Sequence, residues 1–264
     1  MPIIPIECSM RRGANIRFRL WTKWKNYWAK PIKDPFQVPI LINNFNRLAY
    51  LEQLIAWLER AGYRKIYIID NNSDYPPLVE YYRQSPHTVF RLNRNQGHFS
   101  IWETIIFSRF SRDYYVYTDP DIVPDETCPS DIMSYFKSLL EAYPWAKKVG
   151  FGLRIDDLPD HYALKQQVIQ WETQFWQRPV QQDVFDALID TTFALYRPGA
   201  KGGADGPAIR TAGKYIARHM PWYENSQALD DETLYYLRSC SKASSWYSAT
   251  KGENDQYSHE SNGQ

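Results

Sequence analysis

Residues 38–119 alternate between short apolar runs and segments whose apolar residues recur at helical spacing. VPILIN (38–43), KIYIID (65–70), TVFRL (88–92) and YYVYTD (114–119) predict buried strands. The intervening segments, of which LAYLEQLIAWLERA is the clearest, predict helices. Strands that alternate with helices through short polar loops are typical of a doubly wound, mostly parallel sheet. The sequence therefore predicts an α/β fold.

A polar cluster follows each of these four predicted strands. The clusters occupy residues 43–47, 70–74, 93–98 and 119–121, and each is rich in Asp, Asn, Arg or His. The carboxyl ends of parallel strands meet at one edge of a sheet, and ligands bind at that edge. We therefore expect the four clusters to converge on one binding site.

The composition excludes several other classes of protein. A chain of 264 residues, 44% hydrophobic and 23% charged, suits a globular α/β domain and not a disordered chain. A net charge of +1 gives no electrostatic basis for binding nucleic acid. Three widely spaced cysteines form no disulfide framework or zinc motif, which favours a cytoplasmic environment.

A basic segment near the N-terminus departs from this pattern. Residues 11–33 carry eight Lys and Arg residues and no acid. Aromatic residues recur there every three or four positions, at Phe18, Trp21, Trp24 and Trp28. A basic helix with Trp on its apolar face is typical of the membrane interface. The same stripe can also pack against the body of the protein or against a second subunit.

Asp119 and Asp121 stand two residues apart within TDPDIVP (118–124), where the fourth predicted strand ends. Both carboxylates can reach one cation, and oxygen ligands suit Mg²⁺ or Mn²⁺, which also bind phosphate oxygens. Such a metal offsets the charge of a diphosphate leaving group. The motif also occurs as a solvated loop, but its place at a strand end favours a metal site. His219 could complete the metal shell, contact a phosphate or serve a structural role.

Two other clusters have residue types that suit a nucleotide. Asp70, at the end of the second predicted strand, can accept a hydrogen bond from a base or a ribose hydroxyl. The residues that follow it, 71–74, could equally form a plain turn. In NRNQGH, Gly97 allows close approach of the backbone, while Arg94 and His98 could contact a phosphate.

Three adjacent acids, Asp230, Asp231 and Glu232, stand near a predicted helix start. Acidic residues are ordinary at that position because they complement the helix dipole. One of them could also deprotonate an acceptor hydroxyl. Both interpretations stay open at this point.

In their order and spacing these motifs resemble those of the GT-A glycosyltransferases, especially the bacterial family-2-like enzymes that use nucleotide-sugar donors. The segments that carry the resemblance most clearly are INNFNR (42–47), IIDNNSD (68–74), NRNQGH (93–98) and TDPDIVP (118–124). Two later segments match less sharply, DTTFALYRPG (190–199) and LDDET (229–233). The resemblance covers about residues 37–247.

The resemblance implies metal-dependent transfer of one sugar, hexosyl or N-acetylhexosaminyl, from a UDP- or GDP-sugar to an acceptor hydroxyl. Inversion is expected, a retaining mechanism stays open, and glycan or polysaccharide biosynthesis is the implied setting. The QxxRW motif of processive synthases is absent from the sequence, which favours a single transfer.

Each expected role falls on named residues. The expected donor-binding residues are Asn43, Asn44, Phe45, Arg47, Asp70, Asn72, Arg94, Asn95, Gly97, His98 and Asp119. The expected ligands of Mn²⁺ or Mg²⁺ are Asp119, Asp121 and His219. Acceptor contacts are expected from Asp190 and Trp222. Asp231 is the expected catalytic base, with Glu232 and Asp230 as alternatives.

The predicted organisation has three parts. Residues 1–36 form the basic segment, and residues 37–247 form the catalytic domain, followed by a polar flexible tail at 248–264. Within the domain, 37–125 is the expected nucleotide-binding half and 126–247 the acceptor-binding half.

The expected partners are the donor and a glycan or lipid-linked acceptor, with no nucleic acid. The predicted location is the cytoplasm. If residues 11–33 contact the membrane, the protein would lie at its inner face. Two other functions stay open. A nucleotidyltransferase would have a glycine-rich loop after the first strand, which INNFNR lacks. A nucleotide- or carbohydrate-binding domain without catalysis would tolerate loss of Asp231.

Overall fold

The computed structural model describes residues 3–6, 32–202 and 206–240. Most of the predicted basic segment and the whole predicted tail lie outside these residues, so both stay predictions. Within the described part of the chain, no helix combines the length and the apolar character needed to cross a bilayer.

The first half of the fold is built on five parallel strands. They are β1 (Ile3–Ile6), β2 (Ile40–Asn44), β3 (Ile66–Asp70), β4 (Thr88–Leu92) and β5 (Tyr115–Thr118). Their spatial order is β1-β4-β3-β2-β5, with every neighbouring pair parallel. The four predicted strands are confirmed. β1 was not predicted, and a domain that starts at residue 37 omits this edge strand of the same sheet.

Helices connect these strands. They are α1 (Ala49–Arg60), α2 (Pro76–Gln84), α3 (Ser100–Glu103) and α4 (Ile106–Phe110). Apolar residues at helical spacing bury one face of α1, which ends before Gly62, a glycine with a left-handed φ of 97°. The single helical region expected between β4 and β5 is two short helices.

Both faces of the sheet are covered, because successive strand residues point to opposite sides. On β2, Ile40 and Ile42 belong to the apolar core that contains most of the buried residues of α1 and both of those of α2. Leu41 belongs to a second core, which includes Ile101 of α3 and Ile106 of α4. The predicted doubly wound α/β class is confirmed.

The second half of the sheet mixes strand directions. Its strands are β6 (Ile122–Pro124), β7 (Lys148–Leu153), β8 (Pro179–Gln181), β9 (Val184–Asp186), β10 (Ala194–Tyr196) and β11 (Ala208–His219). Its helices are α5 (Ile132–Ala142), α6 (Lys165–Thr173) and α7 (Asp231–Ser239). β10 lies antiparallel between β5 and β7, and β7 pairs in parallel with β11.

One stretch of this half differs from the prediction. The apolar run in residues 185–199, closed by a Pro-Gly turn, predicts a single strand. The structure has the end of β9 and the whole of β10 there, with irregular chain between them. Because β9 and β10 are not neighbours, the chain must cross the sheet between them.

The order of the strands places a switch point between β2 and β5. From β2 the chain builds outward through β3 to β4 and then returns to add β5 on the other side of β2. Loops that leave such a pair of strands diverge, and the crevice between them is where ligands bind in open α/β sheets. The loops concerned begin at Phe45 and Asp119.

Candidate active site

Three of the four predicted polar clusters are joined by amide hydrogen bonds. The side-chain oxygen Oδ1 of Asn43 accepts from the side chains of Asn71 (2.7 Å) and Ser100 (2.6 Å). The side-chain oxygen Oδ1 of Asn71 in turn accepts from the backbone N–H of Gln96 at 3.0 Å. The loops after β2, β3 and β4 therefore meet at one edge of the sheet, as predicted.

Asn46 makes a second link between these loops. Its φ of 50° is left-handed, a conformation that Asn tolerates better than most residues. Its N–H donates to the Ser73 hydroxyl (3.0 Å), and its side-chain oxygen accepts from the N–H groups of Asp74 (2.9 Å) and Tyr75 (3.0 Å). Its amide also donates to Ser239 of α7 at 3.0 Å. No role was predicted for Asn46, although an asparagine in a polar turn is a usable signal.

Asp119 lies immediately after β5 and is held by the irregular chain before β10. The Thr191 hydroxyl donates to an Asp119 carboxylate oxygen at 2.5 Å, and the Asp119 N–H donates to the Thr191 carbonyl at 3.2 Å. Burial, with the nearby carboxylates of Asp121 and Asp190, raises the pKa of Asp119 well above its usual value. A site with this excess of negative charge favours a cation.

Asp121 faces His219, which the fold brings from the far end of β11. Residue 219 pairs with residue 122 in the β6–β11 ladder, and the Met220 N–H donates to the Asp121 carbonyl at 2.9 Å. The His219 Nε2 lies 3.4 Å from an Asp121 carboxylate oxygen. Burial acts to raise the pKa of Asp121, but His219 and Arg47 outweigh it and lower that pKa.

Two buried atoms at this pair have no hydrogen-bond partner. They are the Oδ1 atom of Asp121 and the Nδ1 atom of His219. A buried polar atom without a partner is costly, so such an atom calls for a ligand or an ion. In the described part of the chain, no three His, Cys, Asp or Glu side chains are grouped to form a complete metal site. Mg²⁺ and ions like it often take one or two carboxylates and complete their shell with water and substrate phosphates.

Arg47 lies inside the protein and ties the loop after β2 to the region around α7. Its guanidinium donates to the Thr233 hydroxyl (2.9 Å) and pairs with Glu224 at 3.0 Å. It also lies over the rings of Tyr50 (4.4 Å) and Tyr236 (4.9 Å). The Tyr50 hydroxyl donates to Glu224 as well. Arg47 thus positions α7, and its predicted contact with the donor stays a prediction. Tyr50 and Glu224 were not singled out from the sequence.

The three adjacent acids have different environments. Asp230 is the N-cap of α7, and its side chain accepts from the Thr233 N–H at 2.7 Å. Glu232 accepts from two N–H groups at the start of α1, at 3.0 and 3.1 Å. Burial raises the pKa of Glu232. Asp231 is exposed in the first turn of α7. Among the three, Asp231 is therefore the carboxylate most available to a substrate.

Asp70 is fully buried at the end of β3. It accepts from the Ser73 N–H at 3.2 Å and from the Tyr82 hydroxyl at 3.3 Å, and Arg91 lies 3.6 Å away. Burial raises the pKa of Asp70. These contacts make Asp70 part of the turn that follows β3, and a bond to the donor would have to be made in addition to them.

The other predicted donor residues of the first two clusters lie around this turn. Asn44 is buried, and its amide donates to the Arg47 carbonyl (2.9 Å) and the Tyr82 hydroxyl (2.8 Å). Phe45 is half-buried, with its ring 6.4 Å from that of Tyr236. Asn72 is exposed with a left-handed φ of 63°.

The turn after β4 holds the remaining predicted donor residues. Arg94, Asn95, Gly97 and His98 are all exposed there. The Asn95 side chain accepts from the Gly97 N–H at 2.7 Å. Gly97 has a left-handed φ of 72°, a conformation that glycine adopts without steric cost. The Gly97 carbonyl accepts from Asn43 at 3.4 Å. The turn is thus fixed to the site while its polar side chains stay open to a ligand.

The two predicted acceptor residues differ in accessibility. Asp190 is exposed beside Asp119. Trp222 is 2% exposed, and its ring packs edge-on to His219 with 4.7 Å between ring centroids. Trp222 therefore supports His219 from behind, and its contact with an acceptor stays a prediction.

No protein-family model matches this chain, and no curated protein matches it. Among solved structures, it is similar to S. aureus TarS 1–349, at 12% identity and a TM-score of 0.38, over 61% of this chain and 47% of that one. It is also similar to glucosyl-3-phosphoglycerate synthase from Mycobacterium tuberculosis in complex with phosphoglyceric acid. That match has 10% identity and a TM-score of 0.39, over 75% of this chain and 65% of the other. The chain thus spans less than two thirds of either, and at these TM-scores any functional inference depends on the site.

Proposed function

We propose that this protein is a metal-dependent glycosyltransferase that moves one sugar from a nucleotide diphosphate sugar to an acceptor hydroxyl, with inversion. The observation that carries the proposal is the pair formed by Asp121 and His219 beside Asp119. This pair lies at the switch point of the sheet and has two buried atoms without partners. The ordered motifs that resemble GT-A enzymes support the same assignment.

The donor set suits Mn²⁺ or Mg²⁺. Asp119 and Asp121 offer carboxylate oxygens, and His219 offers a ring nitrogen, which Mn²⁺ accepts more readily than Mg²⁺. When bound, the metal supplies Lewis-acid stabilisation of a diphosphate leaving group. Burial and the nearby Asp121 carboxylate raise the pKa of Asp119, and a divalent cation bound there would relieve the repulsion between the two carboxylates.

The protein's own residues divide the remaining work. Arg94 and His98, both exposed in the turn after β4, are the proposed contacts to the phosphates of the donor. Asp231 is the proposed base that accepts the proton of the acceptor hydroxyl, since Asp230 and Glu232 are engaged in capping two helices. Arg47 is proposed to hold the first turn of α7 near Asp121. Its guanidinium donates to Thr233 of that turn, and its charge lowers the pKa of Asp121.

The fate of the acceptor proton defines the reaction. The acceptor oxygen attacks the anomeric carbon as its proton passes to Asp231, and the bond from that carbon to the diphosphate breaks. The product is a glycoside with inverted configuration and a nucleoside diphosphate. The proposed acceptor is a glycan or a lipid-linked saccharide. The transferred group is proposed to be a hexosyl or N-acetylhexosaminyl group.

A thermal-shift panel tests this proposal. The purified protein is heated with UDP, GDP, ADP, CDP and their sugars, each with and without Mn²⁺. A ligand at about 100 times its dissociation constant adds about 2.7 kcal/mol to the free energy of unfolding. We expect one nucleotide class to stabilise the protein only with Mn²⁺, and Asp121→Asn to lose that effect.

Asp183→Asn is the matched control, because Asp183 is an exposed acid in the turn between β8 and β9. It should keep the metal-dependent shift. A shift that needs no metal would remove the metal from the proposal. Stabilisation by a nucleotide without any sugar transfer or donor hydrolysis would favour a non-catalytic binding domain, and no shift with any nucleotide would refute the transferase.

A further inference from the structure

The irregular chain at residues 187–191 crosses one face of the sheet and ends at Asp119. At its beginning, the Ala187 N–H donates to the Ala208 carbonyl, where β11 starts (3.2 Å). At its end, the Thr191 carbonyl accepts from the Asp119 N–H (3.2 Å), where β5 ends. The segment has no helix or strand of its own. Something other than regular hydrogen bonding must therefore fix its path.

Two buried cations bond to three successive carbonyls of this segment. The Lys148 Nζ donates to the carbonyls of Ile189 and Asp190, the second at 3.2 Å. The Arg210 Nε donates to the Leu188 carbonyl at 2.7 Å. Lys148 is 1% exposed and Arg210 4% exposed. The segment thus lies on charged side chains that rise from β7 and β11.

Burial of these cations has a marked electrostatic cost. Arg210 offsets it with Glu172 of α6, at 2.7 Å. Burial lowers the pKa of Lys148 to about 8, against the opposing influence of the Asp190 carboxylate. An apolar side chain on β7 would fill the same space at lower cost, but it could not bond the carbonyls. The burial of Lys148 and Arg210 is therefore explained if the protein requires residues 188–190 to follow a fixed path.

We propose that Lys148 is a positioning residue, which fixes residues 188–191 so that Thr191 holds the Asp119 carboxylate ready for the metal. The inference rests on the proposed function, because it gives the position of Asp119 a purpose. Arg210 supports the same segment one residue earlier. Neither cation touches the reacting atoms; both act through the backbone and through Thr191.

Lys148→Met in the full chain tests this role, with Arg197→Met as the matched control. Arg197 also donates to backbone carbonyls, those of Leu140, Tyr143 and Ala146. Arg197 follows Tyr196, which pairs with Lys148 in the β10–β7 ladder, but its carbonyl partners lie in α5 and in the chain that follows α5. Both variants remove a cation from carbonyl groups, and only Lys148→Met removes it from the segment that leads to Asp119.

Two measurements are made on each variant. Amide hydrogen exchange followed by mass spectrometry covers residues 187–193 and 117–121, and electron paramagnetic resonance of free Mn²⁺ gives the affinity for the metal alone. We expect Lys148→Met to speed exchange in both segments by at least about tenfold and to weaken Mn²⁺ binding by about 10–100-fold, the range for loss of an outer-shell partner. Lys148→Arg, which can still donate to carbonyls, should recover most of the affinity.

The outcomes separate this inference from the proposed function. Arg197→Met should leave both segments and the Mn²⁺ affinity within about twofold of wild type, because the carbonyls that it bonds belong to neither segment. Equal effects of the two variants would reduce Lys148 to a general stabiliser of the core. If the wild-type protein binds no Mn²⁺, the proposed function fails, and the exchange data alone decide whether Lys148 fixes the segment.

Discussion

The two halves of the site are held together by different chemistry. Amide and hydroxyl side chains around Asn43, Asn46 and Asn71 join the loops after β2, β3 and β4. In the other half, buried cations hold the chain, with Arg47 beside α7 and Lys148 beneath the segment before β10. Short neutral bonds suffice where the topology already brings loops to one edge. Long charged side chains are needed where irregular chain must be held across a distance.

The contrast has energetic consequences. A neutral hydrogen bond contributes about 0.5–1.5 kcal/mol net, so the first half gains modest stability from each of several bonds. Removing one partner of a buried ion pair leaves an uncompensated charge, at a cost of about 3–5 kcal/mol. The second half should therefore be more sensitive to single substitutions than the first.

The largest expected effect concerns the chemistry assigned to the second half. Asp231→Asn should lower turnover by about 10²–10⁴-fold, the usual contribution of a general base. The metal-dependent thermal shift should stay unchanged, because Asp231 is exposed on α7 and is not a proposed metal ligand. Turnover is measured as release of nucleoside diphosphate in the presence of acceptor.

Asp230→Asn is the control for this prediction, since asparagine caps helices as well as aspartate does. It should keep turnover within a few-fold of wild type. Turnover of Asp231→Asn in the same range would remove Asp231 as the base and would return the second half of the site to a purely structural role.

The next effect tests the buried charge directly. Arg47→Met should lower the free energy of unfolding by about 3–5 kcal/mol, because it removes the cation that pairs with the Glu224 carboxylate. The Arg47 and Glu224 side chains are only 4% and 17% exposed, so solvent screens the pair little. Urea unfolding followed by tryptophan fluorescence measures the change.

The comparison for this variant is Arg178→Met. Arg178 pairs with Asp186 on the surface, where its side chain is 75% exposed, and exposed pairs contribute about 0–1 kcal/mol. Equal losses from Arg47→Met and Arg178→Met would show that the second half does not depend on its buried charges.

The smallest effect should come from the amide links of the first half. Asn71→Ala leaves the Asn43 oxygen and the Gln96 N–H each short of one bond, at a total cost of about 1–3 kcal/mol. The donor should also bind more weakly, because the loops after β2 and β4 lose their common partner. Chemical unfolding and a donor titration provide the two readouts.

Asn72→Gly serves as the control, since glycine accepts the left-handed φ of this exposed neighbour. Its cost should stay below about 0.5 kcal/mol, as for most surface substitutions. A loss from Asn71→Ala as large as that from Arg47→Met would erase the difference between the two halves.

The same contrast explains how far the sequence could predict the structure. The order of apolar runs and polar clusters in residues 38–119 predicted four strands and their common edge, because right-handed parallel crossovers leave few alternative topologies. The convergence of Asn43 and Asn71 followed from that topology. The pairing of their amides did not, since each asparagine has several possible partners within a turn.

The second half offered no comparable rule. β10 has only three residues and lies antiparallel between β5 and β7, which both precede it in the chain. The periodicity of hydrophobic residues does not specify such an arrangement. Lys148 occurs in KVGFGL, where a lysine at the start of a strand predicts exposure, and the structure buries it. Its partners are backbone carbonyls, and since every residue has one, the sequence does not indicate which carbonyls Lys148 will bond. His219 was predicted as a ligand from residue type, and its approach to Asp121 depends on the β6–β11 pairing.

The capping of α1 by Glu232 links the crossover from β2 to β3 with α7, and Glu232 lies 184 residues along the chain from Leu48. During synthesis on the ribosome, the strands and helices of the first half can emerge and pair while this cap is still unmade. The loop after β2 therefore reaches its final form only once the region near residue 232 has left the exit tunnel. Protein truncated before that point should be cleaved by proteases more readily than protein that includes α7.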